Sequence, residues 1–157
     1  MRKNQGITLI ELMVAVLIIA LIATIGLVAF RSAQAKSHDA KRAYDASQYV
    51  KALLMYAQEN DGNYPPDSGY LGRGEAVDSQ LKKYFPALPK DPLDKGGTGA
   101  NDYYYYYVKD NLCNGLTFPT VSVENMETAK AEFHNNSCGD GSNEGNADKA
   151  DYLIIIR

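Results

Sequence analysis

Gly6-Ile7-Thr8-Leu9-Ile10-Glu11-Leu12-Met13 opens an apolar run that continues to Phe30, and within it Glu11 is the one charged side chain between Lys3 and Arg31. A charge near the middle of a membrane helix costs roughly 2.5 to 3.5 kcal/mol on insertion scales, so a carboxylate there is a functional candidate in need of a cationic partner. Leu12 to Phe30 is about 19 residues, near 28 Å as a helix, which matches the apolar thickness of a bilayer. The leader Met1-Arg2-Lys3-Asn4-Gln5-Gly6 is too short and too polar for an ordinary secretory signal, in which cleavage follows the apolar stretch. Cleavage at Gly6 keeps that stretch in the product, and Arg2 and Lys3 orient the N-terminus toward the cytoplasm.

Outward from this segment, no proline occurs between Ile7 and Asn60. Most of the residues there are good helix formers, so one continuous helix of roughly 80 Å is predicted. It stops at Asp61-Gly62-Asn63, where Gly62 takes the left-handed cap and Pro65-Pro66 blocks continuation. Beyond Arg31 the small and apolar positions Ala40, Ala43, Ser47, Val50, Leu54 and Ala57 recur at helical spacing. That face is expected to pack on a head, with Lys36, Asp39, Lys41, Arg42 and Asp45 turned to solvent or to neighbouring subunits.

The string Gly6 to Met13 resembles the recognition sequence of type IV prepilins and of the related pseudopilins of type II secretion. The resemblance implies cleavage after Gly6 by a prepilin peptidase, N-methylation of Ile7, and use of Glu11 in assembly. The family usually has Phe after the cleavage point, where this chain has Ile7, and often a proline two residues beyond Gly26, where Val28 stands. A bulky apolar residue is kept at the first position, and Gly26 is left as the weak point of the helix interior. The partners implied are further copies of the chain in a helical homopolymer, an inner-membrane assembly platform and, before assembly, membrane lipid. Buried in a bundle of like helices, Glu11 again needs a counter-charge, and the amine of Ile7 on an adjacent copy is the nearest one able to move with it. The bland alternative is a single-pass anchor whose Glu11 sits among the headgroups and which never polymerises.

The chain of 157 residues has room for about one domain once the helix is set aside. The organisation expected is a leader at 1–6, a helix at 7–60 divided near residue 30, and a head at 61–157. Charge is −3, from 16 basic and 19 acidic residues, and loss of Arg2 and Lys3 with the leader makes it −5. An acidic product argues against a nucleic-acid binder held by phosphate contacts.

In the head, Tyr64 to Gly74 reads as a connecting loop and Asp78 to Phe85 as a short capped helix ended by Pro86. Tyr103 to Val108, Leu116 to Val123 and Tyr152 to Ile156 read as strands, with Pro119 making the middle one an edge strand or a bent one. Asn125 to His134 carries Met126, Ala129 and Phe133 at helical spacing and reads as a short helix. The fold class is therefore α+β, a long N-terminal helix packed on a small antiparallel sheet. The tyrosine run Tyr103 to Tyr107 invites a reading as an aromatic path, but alternation along a strand explains it by packing. Leu88-Pro89-Lys90-Asp91-Pro92 resembles the major pseudopilin of type II secretion and occurs in minimal pilin heads as well.

Cys113 and Cys138 are the two cysteines. In a domain delivered outside the cytoplasm they most simply pair, closing a loop on the order of 25 residues worth about 3 to 4 kcal/mol, against the alternatives of two separate thiols or a metal pair. The resemblance to disulfide-closed pilin heads favours the pair. Asp140, Ser142, Glu144, Asn146, Asp148 and Asp151, with Gly145 at the sixth place, follow the ligand order of a calcium loop. Asp151 stands where a bidentate Glu is usual, and an acidic, Gly-rich surface loop is the competing reading. Major pseudopilins bind calcium in the head, which the resemblance carries to this loop. His38 and His134 have no nucleophile or carboxylate at a catalytic spacing, and no enzymatic activity is expected.

Overall fold

A computed structural model describes residues 7–97, 102–113, 116–128 and 150–156. Helix α1 runs Leu9–Glu59 and is followed by β1 (Gly69–Leu71), α2 (Ala76–Leu81), a 3₁₀ turn (Lys82–Tyr84), β2 (Tyr104–Cys113), β3 (Leu116–Glu124) and β4 (Ala150–Ile155). The fold is α+β. Two compact units divide the chain, one through Lys36 and one from Ser37 onward.

In the first unit the described residues form the opening part of α1. From Ile7 to Phe30 every described side chain is exposed, with no polar face and no apolar partner. By length and composition this stretch can cross a membrane.

The second unit is a four-stranded antiparallel sheet in the order β1-β2-β3-β4. Its register pairs Tyr70 with Tyr106, Tyr105 with Val123 and Val121 with Ile154. The core joins Ala46, Tyr49 and Leu53 of α1 to Leu71, Val77 and Leu81, and to Tyr105, Tyr107, Val121 and Val123 of the sheet. The buried tyrosines keep a polar end satisfied, as burial requires. The Tyr49 hydroxyl donates to the Pro89 carbonyl at 2.5 Å, that of Tyr105 to Asp45 Oδ2 at 3.0 Å, and that of Tyr107 to the Pro65 carbonyl at 3.2 Å.

The core face of α1 differs from the expected one. The buried stripe is Asp39, Arg42, Ala46, Tyr49, Leu53 and Ala57, whereas Ala40 is exposed and Leu54 is 38% exposed. The stripe is displaced by one residue along most of its length, about 100° around the helix. Hydropathy assigns Asp39, Arg42 and Asp45 to solvent, but all three are buried, because Asp39 and Arg42 bond to one another and to the head, and Asp45 accepts the Tyr105 hydroxyl.

One further expectation is extended and three are corrected. Gly62 (φ 84) is left-handed as expected and Asp61 (φ 55) before it is left-handed too, with the Gly62 N–H on the Ala57 carbonyl at 2.8 Å, a Schellman closure. The loop from Tyr64 to Gly74 contributes β1. Helix α2 begins at Ala76, and Asp78 inside it accepts the Gly72 and Gly74 N–H groups at 2.8 and 2.6 Å rather than capping its own helix. Asn125 has φ 58 and residues 125–128 are not helical, while residues 129–134 of that predicted helix lie outside the described residues.

Pro119 lies in a strand paired on both sides, which removes the edge reading and keeps the bent one. The ladder with β2 slips between Val108 and Asn111, opposite the proline, so its missing N–H falls at an irregularity. Its carbonyl accepts the Ile156 N–H at 2.9 Å.

Candidate functional site

The head of α1 is built by a reciprocal pair. Thr8, just outside the helix, donates its N–H and its hydroxyl to Glu11 Oε2 at 2.8 and 2.6 Å, while the Glu11 N–H donates to Thr8 Oγ1 at 3.3 Å. This is a capping box, in which a Thr and a Glu three residues on satisfy two of the amide donors a helix start leaves open. Its spacing, Thr-x-x-Glu, stands in the sequence as a local signal for Thr8, a residue that a reading centred on the charge alone passes over.

Ile7 is the first described residue and is 79% exposed. Gly6 and the rest of the leader lie outside the described residues. The arrangement is thus a helix whose open end carries one carboxylate, followed by apolar side chains on every side. Such a surface is stable in lipid or against other apolar helices, and water is a poor solvent for it.

A second cluster lies in the head. Arg42 is fully buried and faces three carboxylates. It holds Asp91 with two bonds, at 2.7 Å from Nε and 3.2 Å from Nη2, and reaches Asp39 at 2.8 Å and Glu127 at 3.1 Å. The Tyr103 ring lies 4.5 Å from the guanidinium carbon. Asp39 in turn accepts the N–H groups of Glu127 and Thr128 and the Thr128 hydroxyl, at 2.8, 2.6 and 2.6 Å. His38 Nδ1 is 2.7 Å from Glu127 Oε1. Burial pushes Asp39 up, yet these donors and Arg42 outweigh it and hold the carboxyl below its usual value. Arg42 is raised further, since its carboxylates outweigh its own burial. The cluster ties three stretches of chain together: α1, the Asp91 loop and the segment after β3.

Cys113 ends β2 and is described as backbone, paired in register with Leu116. Cys138, and with it the expected disulfide, lies outside the described residues. So does the loop expected to bind calcium, except that Asp151 falls in β4. Among the described residues no cluster of His, Cys, Asp and Glu is arranged to hold a metal.

Residues 1–27 match the family model of the prokaryotic N-terminal methylation motif. No curated protein and no solved structure matches the chain.

Proposed function

We propose that this chain, which carries the prokaryotic N-terminal methylation motif of the type IV pilin and pseudopilin family, is a structural subunit of a type IV pilus. It waits in the inner membrane as a single-pass precursor, is cut after Gly6, is methylated on Ile7, and polymerises through its N-terminal helix. The observation that carries this is the juxtaposition at the start of α1: one carboxylate, Glu11, at the end of a helix with no polar face. A helix of that kind leaves lipid only by entering a bundle of its own copies. The head then stands on the outside of the filament, closed by Cys113 and Cys138.

A second reading, the major pseudopilin of a type II secretion system, is favoured by Leu88-Pro89-Lys90-Asp91-Pro92, whose Pro89 and Asp91 are held by Tyr49 and Arg42. Under it the filament is short, periplasmic and stabilised by calcium at the loop from Asp140 to Asp151. Neither reading assigns catalysis to the chain.

Intact mass of the protein from membrane and sheared-surface fractions, with and without reductant, tests these assignments. A chain starting at methylated Ile7, about 2 Da lighter before reduction and present in the sheared fraction, supports the pilus. Processed chain confined to the membrane supports the pseudopilus. A chain still carrying residues 1–6 in every fraction leaves the anchor that never polymerises.

A further inference from the structure

We infer that the outer edge of β4 is a pairing surface for a second copy of the chain, the two β4 strands adding to one another antiparallel about a two-fold axis. The inference goes beyond the subunit reading and does not depend on it. The two edges of the sheet are built differently. At one, β1 is three residues long, and its Tyr70 N–H turns away from β2 to Glu75 Oε2 at 2.9 Å. A short edge whose outward donor is already taken is closed to a further strand. At the other, β4 runs six residues, Ala150–Ile155, and among the described residues no strand lies beyond it.

What that edge offers follows from the ladder. The Ile156 N–H lies on the Pro119 carbonyl at 2.9 Å, with Ile154 opposite Val121 and Tyr152 opposite Val123. Bonded and non-bonded pairs alternate along antiparallel strands, so residues 152, 154 and 156 bond to β3, and the N–H and C=O of Leu153 and Ile155 point outward. The ladder slips between Val123 and Glu124, so the regular edge begins at Tyr152. Two copies related by a two-fold can match the outward groups as Leu153 on Leu153, Ile155 on Ile155, or Leu153 on Ile155. Only the last register sets Asp151 of one copy opposite Arg157 of the other, so that acid meets base at both ends of the run Tyr152 to Ile156. The other two set Asp151 opposite Ile155 or Arg157 opposite Leu153. A strand complementary to itself in register and charge fits its own copy, as a two-fold interface requires. That axis stands perpendicular to the sheet and reverses the direction of the part of α1 that packs on it. The pairing is therefore not the contact by which copies standing in one membrane assemble.

The test mixes full-length chains carrying two different tags, in detergent with a chelator present, and counts the second tag on resin that holds the first. Association through α1 is common to every variant, so differences between them read the edge. Asp151→Arg alone and Arg157→Asp alone set like charges opposite one another at both ends, and each is expected to co-purify about tenfold less than the parent. Mixed with each other, the two variants regain opposite charges at both ends, and co-purification is expected to return to within about twofold of the parent. No loss in either variant, or no recovery on mixing, overturns the inference. Ile155→Pro removes an outward N–H that β3 does not use, which an edge strand tolerates. It is expected to lower co-purification about tenfold with tyrosine near-ultraviolet dichroism unchanged. Parental co-purification with that dichroism intact overturns the inference, and if the dichroism is lost the charge variants decide alone. In the parent, the amides of Leu153 and Ile155 are expected to exchange more slowly as chain concentration rises. Protection that is equal at every concentration assigns the edge to residues 129–149 of the same chain and overturns pairing with a second copy.

Discussion

Arg42 is a guanidinium without solvent contact in a helix that hydropathy alone turns the other way. Its two bonds to Asp91 use the planar fork of an arginine, which a lysine does not reproduce. Removing one partner of a buried ionic cluster leaves uncompensated charge, so Arg42→Ala is expected to lower stability by about 3 to 5 kcal/mol, with Arg42→Lys recovering little. Urea denaturation of the full chain in detergent, followed by tyrosine near-ultraviolet dichroism, measures both. Full stability in Arg42→Ala would show that the cluster is dispensable. The same cluster sets a pH response. Asp39 is held below its usual value, and Asp94 likewise, since Arg73 and the Gly96 N–H outweigh its burial. A carboxyl depressed on folding stabilises the native state above its unfolded pKa and loses that contribution as pH falls through the folded one. The urea midpoint is therefore expected to be flat above about pH 5 and to drop below about pH 4. Asp39→Asn makes that drop smaller.

At the scale of elements, β2 shows how far a period of two carries. Tyr105 and Tyr107 face α1, and Tyr104 and Tyr106 take the other side, where both stand edge-on to Tyr70 at 5.1 and 4.9 Å. Tyr104 is nonetheless buried, with the Arg73 guanidinium 5.2 Å from its ring. Alternation was legible in the residue string; the cover on the second face was not, because Arg73 is anchored by Asp94 from a separate loop. Burial, followed by the nearby carboxylates Asp45 and Asp78 or Asp91, pushes the Tyr49 and Tyr105 phenols up, and burial raises Tyr106 and Tyr107. For an acid whose pKa rises on folding, stability is complete below the unfolded value, about 10, and is lost as pH rises beyond it. Alkaline titration of phenolate absorbance is expected to show these groups ionising together with unfolding. Independent ionisation in the folded head would contradict their burial. Gly72, at φ 81, is a second element-scale constraint, since a Cβ there would meet the Pro89 carbonyl oxygen. Gly72→Ala is expected to cost about 1 to 3 kcal/mol, lowering Tm by about 4 to 8 °C for each, as read by calorimetry.

Over the whole molecule, exposure is divided unevenly: the described apolar side chains from Ile7 to Phe30 are exposed, while those of the head are largely buried or partly covered. The precursor is expected to stay with the membrane through high-salt and alkaline washes and to be released by detergent. Release by salt alone would contradict a spanning helix. Within the head, the sheet is a simple meander, and each long strand announced itself by its aromatic and β-branched content. The short β1 did not, because Gly69-Tyr70-Leu71 is turn-rich in its surroundings and pairs only because β2 offers an edge.

Residues near one another in the chain account for the membrane segment, the helix stop near Asp61 and the capping box of Thr8 and Glu11, since each depends on local spacing. The face that α1 turns to the head depended on contacts made across long stretches of chain. Asp91 lies 49 residues from Arg42, and Glu127 85. A charged residue is assigned to water unless its counter-charge is known to be there, and that knowledge comes only when the chain has folded.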